Sequence, residues 1–397
     1  MTFKTFALAA ALLAGLPGAT AFGFHGKGDQ VVTYSNGASP GLGQICQDKN
    51  VNVVILSFVD KLQPGAISAN FGGLPTGQQI KECQHNEKTV LVSLGGANFF
   101  EDGWKSDGEA QTAAHQVWNT YGAGPHGASA FNGVATNGFD LDFEKKLTGL
   151  NKFTETLLSL KEQAKNAYLT ASPQCQLPDR NLGEVLDAHW DRFDAVFVQF
   201  YNNQECGIPA SYGGGAPAAP ISTPLVRPTS PAARRAAVQA RGLNLQSWLN
   251  RGSQGIGGSL NGAVQGKANA NGAIGVNGIN GINGANSVNS ANGVSSAVPT
   301  PSPSIGSWGP KATGTGSAST GKGPKIFFGT PGSRTAIGRP DAGYSSPQLL
   351  ASTLRQFKNA NPNFGGVSIW TYQKAKSENH ENPNFIADVK KLLKNPQ

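Results

Sequence analysis

The sequence is poor in the residues that most often identify a site. It has four cysteines, one methionine and six histidines in 397 residues. No Cys-x-x-Cys pair occurs and the histidines are scattered, so we expect neither a metal nor another cofactor. Beyond residue 21 no apolar run is long enough to cross a membrane, and residues 390–397 are polar, so we expect no membrane partner and no glycolipid anchor.

Acidic residues are missing from one long stretch of the chain. No Asp or Glu occurs between Glu205 and Asp341, whereas eight Lys and Arg residues lie within 207–324. The net charge of +8 therefore belongs mainly to this stretch, and the rest of the chain is close to neutral. An enzyme of nucleic acids would carry its positive charge along its site, so we expect no nucleic-acid partner.

Composition also predicts the domain organisation. Residues 1–21 combine a lysine, a short apolar run and an Ala-Thr-Ala ending, which predicts a signal peptide cut before Phe22 and a secreted, extracellular protein. Residues 208–251 are a Pro/Ala-rich loop followed by a predicted helix. Residues 252–323 consist mainly of Gly, Asn, Ser and Ala, which predicts a disordered low-complexity insert. A small repeat fold for its Asn-Gly stretch is the alternative.

Short apolar runs alternate with helix-compatible stretches in the remaining segments, 22–207 and 324–397. The runs predict eight strands, at Gln30–Ser35, Val51–Val59, Thr89–Gly95, Gly138–Glu144, Tyr168–Ser172, Ala195–Tyr201, Lys325–Thr330 and Gly366–Trp370. Helices are predicted between them, for example at Leu150–Ala164 and Gln348–Ala360. Eight β/α units favour a (β/α)8 TIM barrel with the insert between strands 6 and 7, although a doubly wound sheet shows the same alternation.

The segment Asn137–Glu144 carries the pattern most closely tied to chemistry. Asp140, Asp142 and Glu144 alternate with apolar residues, so on a strand all three acids point to one face. A buried row of carboxylates is costly unless it is functional, and paired carboxylates cleave glycosidic bonds. An exposed edge strand and a calcium loop are the plainer alternatives.

Together with other motifs, the acidic row resembles the family 18 glycoside hydrolases, in particular the hevamine-like class III chitinases of plants and fungi. The matching motifs follow the order of the family: Ser93-Leu94-Gly95-Gly96 on the third strand, Asn137 and the three acids on the fourth, Leu169–Cys175 with Pro178-Asp179-Arg180 on the fifth, Val198–Asn203 on the sixth and Gly365–Trp370 on the eighth. The likeness covers about 28–206 and 324–395. It departs from the family pattern at Asn137, where the motif has its first acid, and this leaves the pH optimum open.

The resemblance implies a secreted endochitinase that hydrolyses β-1,4-linked N-acetylglucosamine polymers with retention, by attack of the substrate's own acetamide oxygen. Glu144 would be the general acid, and Asp142 would hold the acetamide N–H. Asp140 would share a proton with Asp142, and Tyr201 would donate to the acetamide oxygen. Further substrate contacts are implied at Trp370, Gln199, Tyr34, Phe58, Asn70 and Gly96. For Tyr34 and Phe58, core packing is an equal explanation.

The resemblance also implies two disulfides, Cys46–Cys83 and Cys175–Cys206, whereas the cysteine count alone leaves three pairings open. Chitin or chito-oligosaccharides are the implied partners, and we expect a monomer. The basic insert either binds acidic cell-wall polymers or is an inert spacer. Two other functions stay open: a non-catalytic chitin-binding lectin or inhibitor, and an endo-β-N-acetylglucosaminidase acting on N-glycans.

Overall fold

The computed structural model describes residues 23–24, 26–37, 41–124, 127–164, 167–203, 206–208, 245–253, 323–338, 343–358 and 361–395. Eight parallel strands in these ranges form a barrel: β1 (Gln30–Ser35), β2 (Val53–Lys61), β4 (Thr89–Gly95), β5 (Gly138–Asp142), β6 (Tyr168–Ala171), β7 (Ala195–Gln199), β8 (Lys325–Pro331) and β9 (Phe364–Trp370). The barrel closes because β1 pairs with both β2 and β9. A two-residue strand, β3 (Ser68–Ala69), pairs antiparallel with β2. The predicted (β/α)8 TIM barrel is confirmed.

Helices follow the barrel strands and cover the outside of the barrel. They are α1 (Leu42–Gln47), α2 (Gly77–His85), α3 (Asp107–Tyr121), α4 (Leu150–Gln163), α5 (Gly183–His189), α6 (Leu245–Ser253), α7 (Pro347–Lys358) and α8 (Phe385–Lys394). Local sequence fixes some of their starts. The side chain of Thr76 accepts the backbone N–H of Gln79 at 3.2 Å, and the Gln79 side chain accepts that of Thr76 at 2.9 Å, which is a capping box.

Three strands end earlier than predicted. The predicted strands reached Glu144, Ser172 and Tyr201, but β5, β6 and β7 end two, one and two residues before them. The β4–β5 ladder ends at this edge, where the backbone N–H of Gly96 donates to the carbonyl of Asp142 at 2.7 Å. The predicted site residues Glu144 and Tyr201 therefore lie just beyond the strands, at the C-terminal mouth of the barrel.

The N-terminal end of the barrel is closed by aromatic packing. Phe24 is buried, with its ring centroid 5.4 Å from that of Tyr168, 5.9 Å from that of Phe197 and 6.0 Å from that of Phe327. These rings belong to a small apolar cluster inside the barrel, while a larger cluster fills the space between strands and helices. The carboxyl groups of Asp140 and Asp142 lie toward the other end, the mouth of the barrel.

Three residues that precede strands also make one recurring pair of bonds at the N-terminal end. Each accepts a backbone N–H of the neighbouring strand through its side chain and donates its own N–H to the carbonyl of the same residue. They are Asn52, Asn137 and Asp194, which pair in this way with Val31, Val90 and Leu169, respectively. These paired bonds, which we call clamps, fix the register of adjacent strands.

Both implied disulfides are confirmed. Cys46–Cys83 joins α1 to α2, and Cys175–Cys206 joins the segments that follow β6 and β7. The predicted signal peptide, most of the Pro/Ala-rich loop and residues 254–322 of the predicted insert lie outside the described residues, so those domain boundaries stay predictions. Among the described helices, none has both the length and the apolar character needed to cross a membrane.

Candidate active site

Asp140 forms the floor of the site. Its carboxyl group is fully buried and accepts hydrogen bonds from Thr170 at 2.7 Å, Ser93 at 2.9 Å, Ser172 at 2.9 Å and Tyr34 at 3.3 Å. The hydroxyl groups of Tyr34 and Ser172 also lie 2.6 Å apart. Burial raises the pKa of Asp140, and the bonds from the hydroxyl groups oppose that rise. The pKa of Asp140 is raised on balance, because burial outweighs the bonds from the hydroxyl groups.

Asp142 lies one step closer to the mouth. It is 4% exposed, and its Oδ1 accepts a hydrogen bond from Nε2 of Gln199 at 2.9 Å. The same Nε2 also donates to the carbonyl of Ser172 at 3.0 Å, which fixes the amide. Burial, together with the charges of Glu144 and Asp140, raises the pKa of Asp142 well above its usual range. The expected sharing of a proton between Asp140 and Asp142 stays a prediction.

Glu144 and Tyr201 complete the row at the mouth. Glu144 is half-buried, and burial raises the pKa of its carboxyl group, although side-chain bonds from Gln199 and Gln174 oppose the rise. Tyr201 is buried, and burial together with the charge of Asp142 raises the pKa of its phenol well above 10.0. The site therefore presents a carboxyl group suited to donate a proton and a phenol that stays protonated.

Aromatic rings form a second wall. The rings of Phe58 and Trp370 stack, with centroids 5.5 Å apart and an angle of 25°, and Tyr34 meets Trp370 edge-on at 5.4 Å. Gly96 has a φ of +85°, and a Cβ there would lie 2.7 Å from the ring of Phe58. Any other residue would be strained and would push that ring away. Glycine is therefore required at position 96 to leave room for the ring of Phe58.

The structure brings together most of the predicted site residues. Tyr34 packs in the core inside the barrel and also bonds to Asp140, and its contact with substrate stays a prediction. Asn70 is exposed, and its backbone pairs with that of Phe58 in both directions, at 2.8 and 3.2 Å. The aromatic wall therefore has an exposed amide at its edge.

Several polar residues of the site have no role predicted from the sequence. Thr170 and Ser172 on β6 and the following loop bind Asp140, and Gln174 binds Glu144. Thr170 and Ser172 alternate along the predicted strand Tyr168–Ser172, and Gln174 continues this spacing beyond it, which is the available signal because residues two apart share a face. Within the described residues, no group of three or more His, Cys, Asp and Glu is arranged to hold a metal ion.

Comparison with known proteins identifies the family of this site. The model of a family described as glycosyl hydrolases family 18 matches residues 29–261, more than half of the chain. The chain belongs to this family. The resemblance that the sequence motifs indicated is thereby confirmed.

Individual relatives are fungal proteins, and the structural neighbours are more distant. Endochitinase 33 of Trichoderma harzianum is 37% identical over 183 residues, which are 41% of this chain and 56% of that protein. A class III chitinase of Arthroderma benhamiae is 41% identical over 138 residues, 33% of this chain and 41% of that protein. The chain thus spans about half the length of the curated relatives that it matches.

A solved structure of the xylanase and α-amylase inhibitor protein XAIP-II from Scadoxus multiflorus shares the fold. It has a TM-score of 0.57 and 21% identity, with coverage of 91% of this chain and 97% of that one. At this identity the likeness concerns the fold alone, so function has to be argued from the side chains of the site.

Proposed function

We propose that the chain is a secreted endochitinase that hydrolyses β-1,4-linked N-acetylglucosamine polymers with retention of configuration. The observation that supports this most directly is a carboxyl group of raised pKa, Glu144, beside the buried Asp142 at the mouth of a family 18 barrel. Two similar fungal proteins bear the names endochitinase and class III chitinase. Loss of the acid would have favoured a non-catalytic lectin or inhibitor.

In the proposed reaction, Glu144 gives its proton to the glycosidic oxygen as the bond to the anomeric carbon breaks. The carboxyl groups of Asp140 and Asp142 are buried and accept bonds from Ser93 and Gln199, so we assign the attack to neither. The acetamide oxygen of the sugar attacks instead and forms a cyclic oxazolinium intermediate. Water, deprotonated by Glu144, then opens this ring, and configuration is retained.

Two residues would hold the acetamide during this attack. Asp142 would accept its N–H, and the neutral phenol of Tyr201 would donate to its oxygen, which aligns the nucleophile with the anomeric carbon. The stacked rings of Phe58 and Trp370 would support the apolar face of the sugar at the point of cleavage. Together these contacts require an N-acetylated sugar.

The short connection before the last strand supports internal cleavage. About 34 residues separate Pro331 from Gly366, and α7 occupies twelve of them. An additional domain that would wall the groove at this side does not fit in that length. An open groove accepts the middle of a polymer chain, so we propose endo-acting cleavage.

The proposal also covers secretion of the protein, its binding to the cell wall and its oligomeric state. Two disulfides are typical of oxidising compartments, which supports secretion. The basic stretch 207–324 would hold acidic cell-wall polymers through charge, although an inert spacer has the same composition. We expect the enzyme to work as a monomer, because the whole predicted site lies on one barrel.

The products from a chitin hexamer test this function, with the wild type compared with Glu144→Gln. Internal fragments with the β-anomer, formed by the wild type alone, are expected. Binding of the hexamer without turnover would favour the lectin. Release of glycans from a high-mannose glycoprotein, with the hexamer left intact, would favour the endo-β-N-acetylglucosaminidase.

A further inference from the structure

A fourth buried carboxyl group, that of Asp179, lies near the acidic row and has no role in the proposed reaction. It is 5% exposed and follows β6, in the loop that leads to α5. Its Oδ1 accepts the backbone N–H groups of Asn181 at 2.8 Å and Leu182 at 2.6 Å. Its Oδ2 accepts the backbone N–H of Gln174 at 2.9 Å. Asp179 therefore ties the start of the loop to its end.

Gln174 connects this loop to the acidic row. It forms a parallel bridge with Gln199, and the backbone N–H of Gln199 donates to the carbonyl of Pro173 at 2.9 Å. The side chain of Gln199 donates to Asp142, and that of Gln174 donates to Glu144. Two neighbouring amides thus hold two neighbouring carboxyl groups.

The loop is also fixed from outside the barrel. Cys175, next to Gln174, is joined to Cys206, and its carbonyl accepts the indole N–H of Trp248 at 3.1 Å. Trp248 lies on α6 and is fully buried. These anchors leave Gln174 little freedom, so its side chain is presented to Glu144 from a rigid base.

The charged groups around Glu144 come from several elements. Asp142 and Asp140 lie on β5, Asp179 on the loop after β6, and Tyr201 after β7. Lys145 follows Glu144 but its Nζ lies 2.6 Å from Asp102, and Arg180 acts on Asp179. The charge of Asp179 raises the pKa of Glu144, whereas the bond from Gln174 lowers it. The two residues therefore act on the acid in opposite directions.

We propose that Asp179 and Gln174 are positioning residues for the general acid: Asp179 fixes Gln174, and Gln174 fixes the carboxyl group of Glu144. This inference rests on the proposed function, since it assigns the residues to the proton donor of that reaction. It predicts that Asp179 affects turnover through Gln174, so removal of both should cost no more than removal of one.

Turnover of the soluble tetramer of N-acetylglucosamine by the full chain tests this prediction in a double-mutant cycle. Gln174→Met and Asp179→Asn should each lower kcat about 10-fold with KM within about twofold, and the double variant should also lose about 10-fold. Gln176→Met, on the same loop but bonded to Asn203, and Asp187→Asn, in a surface ion pair with Arg251, are the matched controls. A loss of about 100-fold in the double variant would show that the residues act independently.

The pH profile supplies a readout that a merely structural role would not move. Activity falls at alkaline pH as Glu144 loses its proton. Gln174→Met removes a donor to the ionised form, so this alkaline limb should move up by about one pH unit. In that background Asp179→Asn removes a negative charge, and the limb should move back down. A limb that stays in place in Gln174→Met would overturn the proposal.

Two further measurements distinguish a failure of this proposal from misfolding of a variant and from a failure of the proposed function. If Asp179→Asn does not fold, the comparison of kcat and of the alkaline limb between Gln174→Met and Gln176→Met still tests the proposal. Unfolding temperatures show whether both of these variants are folded. If the wild type leaves the tetramer intact, the proposed function fails. Titration of the Glu144 carboxyl group by carbon NMR then tests the positioning alone, with a higher pKa expected in Gln174→Met and an unchanged pKa contradicting it.

Discussion

The two ends of strand β5 carry similar side chains in different surroundings. At the N-terminal end, Oδ1 of Asn137 accepts the backbone N–H of Val90 at 2.9 Å and a side-chain N–H of Gln84 at 3.2 Å. Toward the mouth, Asp140 and Asp142 accept bonds from hydroxyl and amide side chains. A bond to backbone holds the register of two strands. A bond to a side chain leaves the carboxyl group able to change partners when a substrate arrives.

The carboxyl groups toward the mouth carry a free-energy cost of ionisation in the folded protein. Burial raises the pKa values of Asp140, Asp142 and Glu144 in the folded state. A carboxyl group of this kind contributes stability below its unfolded pKa, and that stability is lost as the pH rises through the folded pKa. The mouth therefore destabilises the barrel at neutral pH, while the clamps and Phe24 stabilise it. The comparison predicts that substitutions at the mouth affect turnover and those at the N-terminal end affect stability.

The largest effect is expected for Glu144→Gln. The substitution removes the proton donor and keeps the size of the side chain, so turnover of chito-oligomers should fall on the order of 10³-fold or more. Glu155→Gln, on the surface of α4, is the matched control and should leave turnover unchanged. Near-normal turnover in Glu144→Gln would refute the proposed mechanism.

Tyr201→Phe should cost on the order of 10²-fold in kcat, because in the proposed mechanism the phenol donates to the acetamide in the transition state. The same substitution at the other end of the barrel, Tyr168→Phe, should change kcat by less than about twofold. Steady-state kinetics on the tetramer measures both. Equal losses at the two positions would remove the distinction between the ends.

These predictions show where sequence information sufficed. The strands of the barrel and the acidic row were predicted from the alternation of apolar and polar residues. Both disulfides were implied by the family resemblance, in which the residues of each motif are adjacent in sequence. The predicted strands were too long at Glu144 and Tyr201 because alternation continues beyond the point where backbone pairing ends. Asp179 has no periodic signal, since its role depends on three backbone N–H groups that only the folded loop brings together.

Phe24→Ala should lower the free energy of unfolding by about 3–5 kcal/mol and leave kcat of the folded enzyme unchanged. Its ring fills the N-terminal end of the barrel, far along the strands from Glu144, and a cavity would remain. Urea denaturation measures the loss, and Phe100→Ala, at a ring that is 82% exposed, is the control. The sequence could not predict this contact, because Phe24 lies in a short glycine-rich segment before the first strand that has no helix or strand periodicity.

Asp→Asn substitutions should have opposite effects on stability at the two ends. Asp142→Asn removes a group whose ionised form is disfavoured by burial, so the unfolding temperature should rise at pH 7 and the gain should vanish below the unfolded pKa of about 4. Asp194→Asn keeps an oxygen that can accept the N–H of Leu169, but it loses the ion pair with Lys161 at 2.7 Å, so stability should fall by about 1 kcal/mol. A loss of stability at pH 7 in Asp142→Asn would contradict the assignment of its pKa shift.

The smallest effect is expected for Asn137→Asp, which restores the first acid of the family motif. Five residues of strand place position 137 roughly 17 Å from Asp142, where a new charge is weakened by distance and by salt. The pH profile should move by no more than a few tenths of a pH unit, and turnover should stay within about twofold.

Asn137→Ala tests the hydrogen bonds at this position, whereas Asn137→Asp tests the effect of a charge there. Alanine leaves the N–H of Val90 without its acceptor and removes one of the two acceptors of the Gln84 amide, so stability should fall by about 1–3 kcal/mol with an unchanged pH profile. A hundredfold change of turnover in either variant would place Asn137 with the chemistry at the mouth. The opposite pattern, stability lost in alanine and kept in aspartate, would assign this motif position to the clamp, where an oxygen acceptor matters and its charge does not.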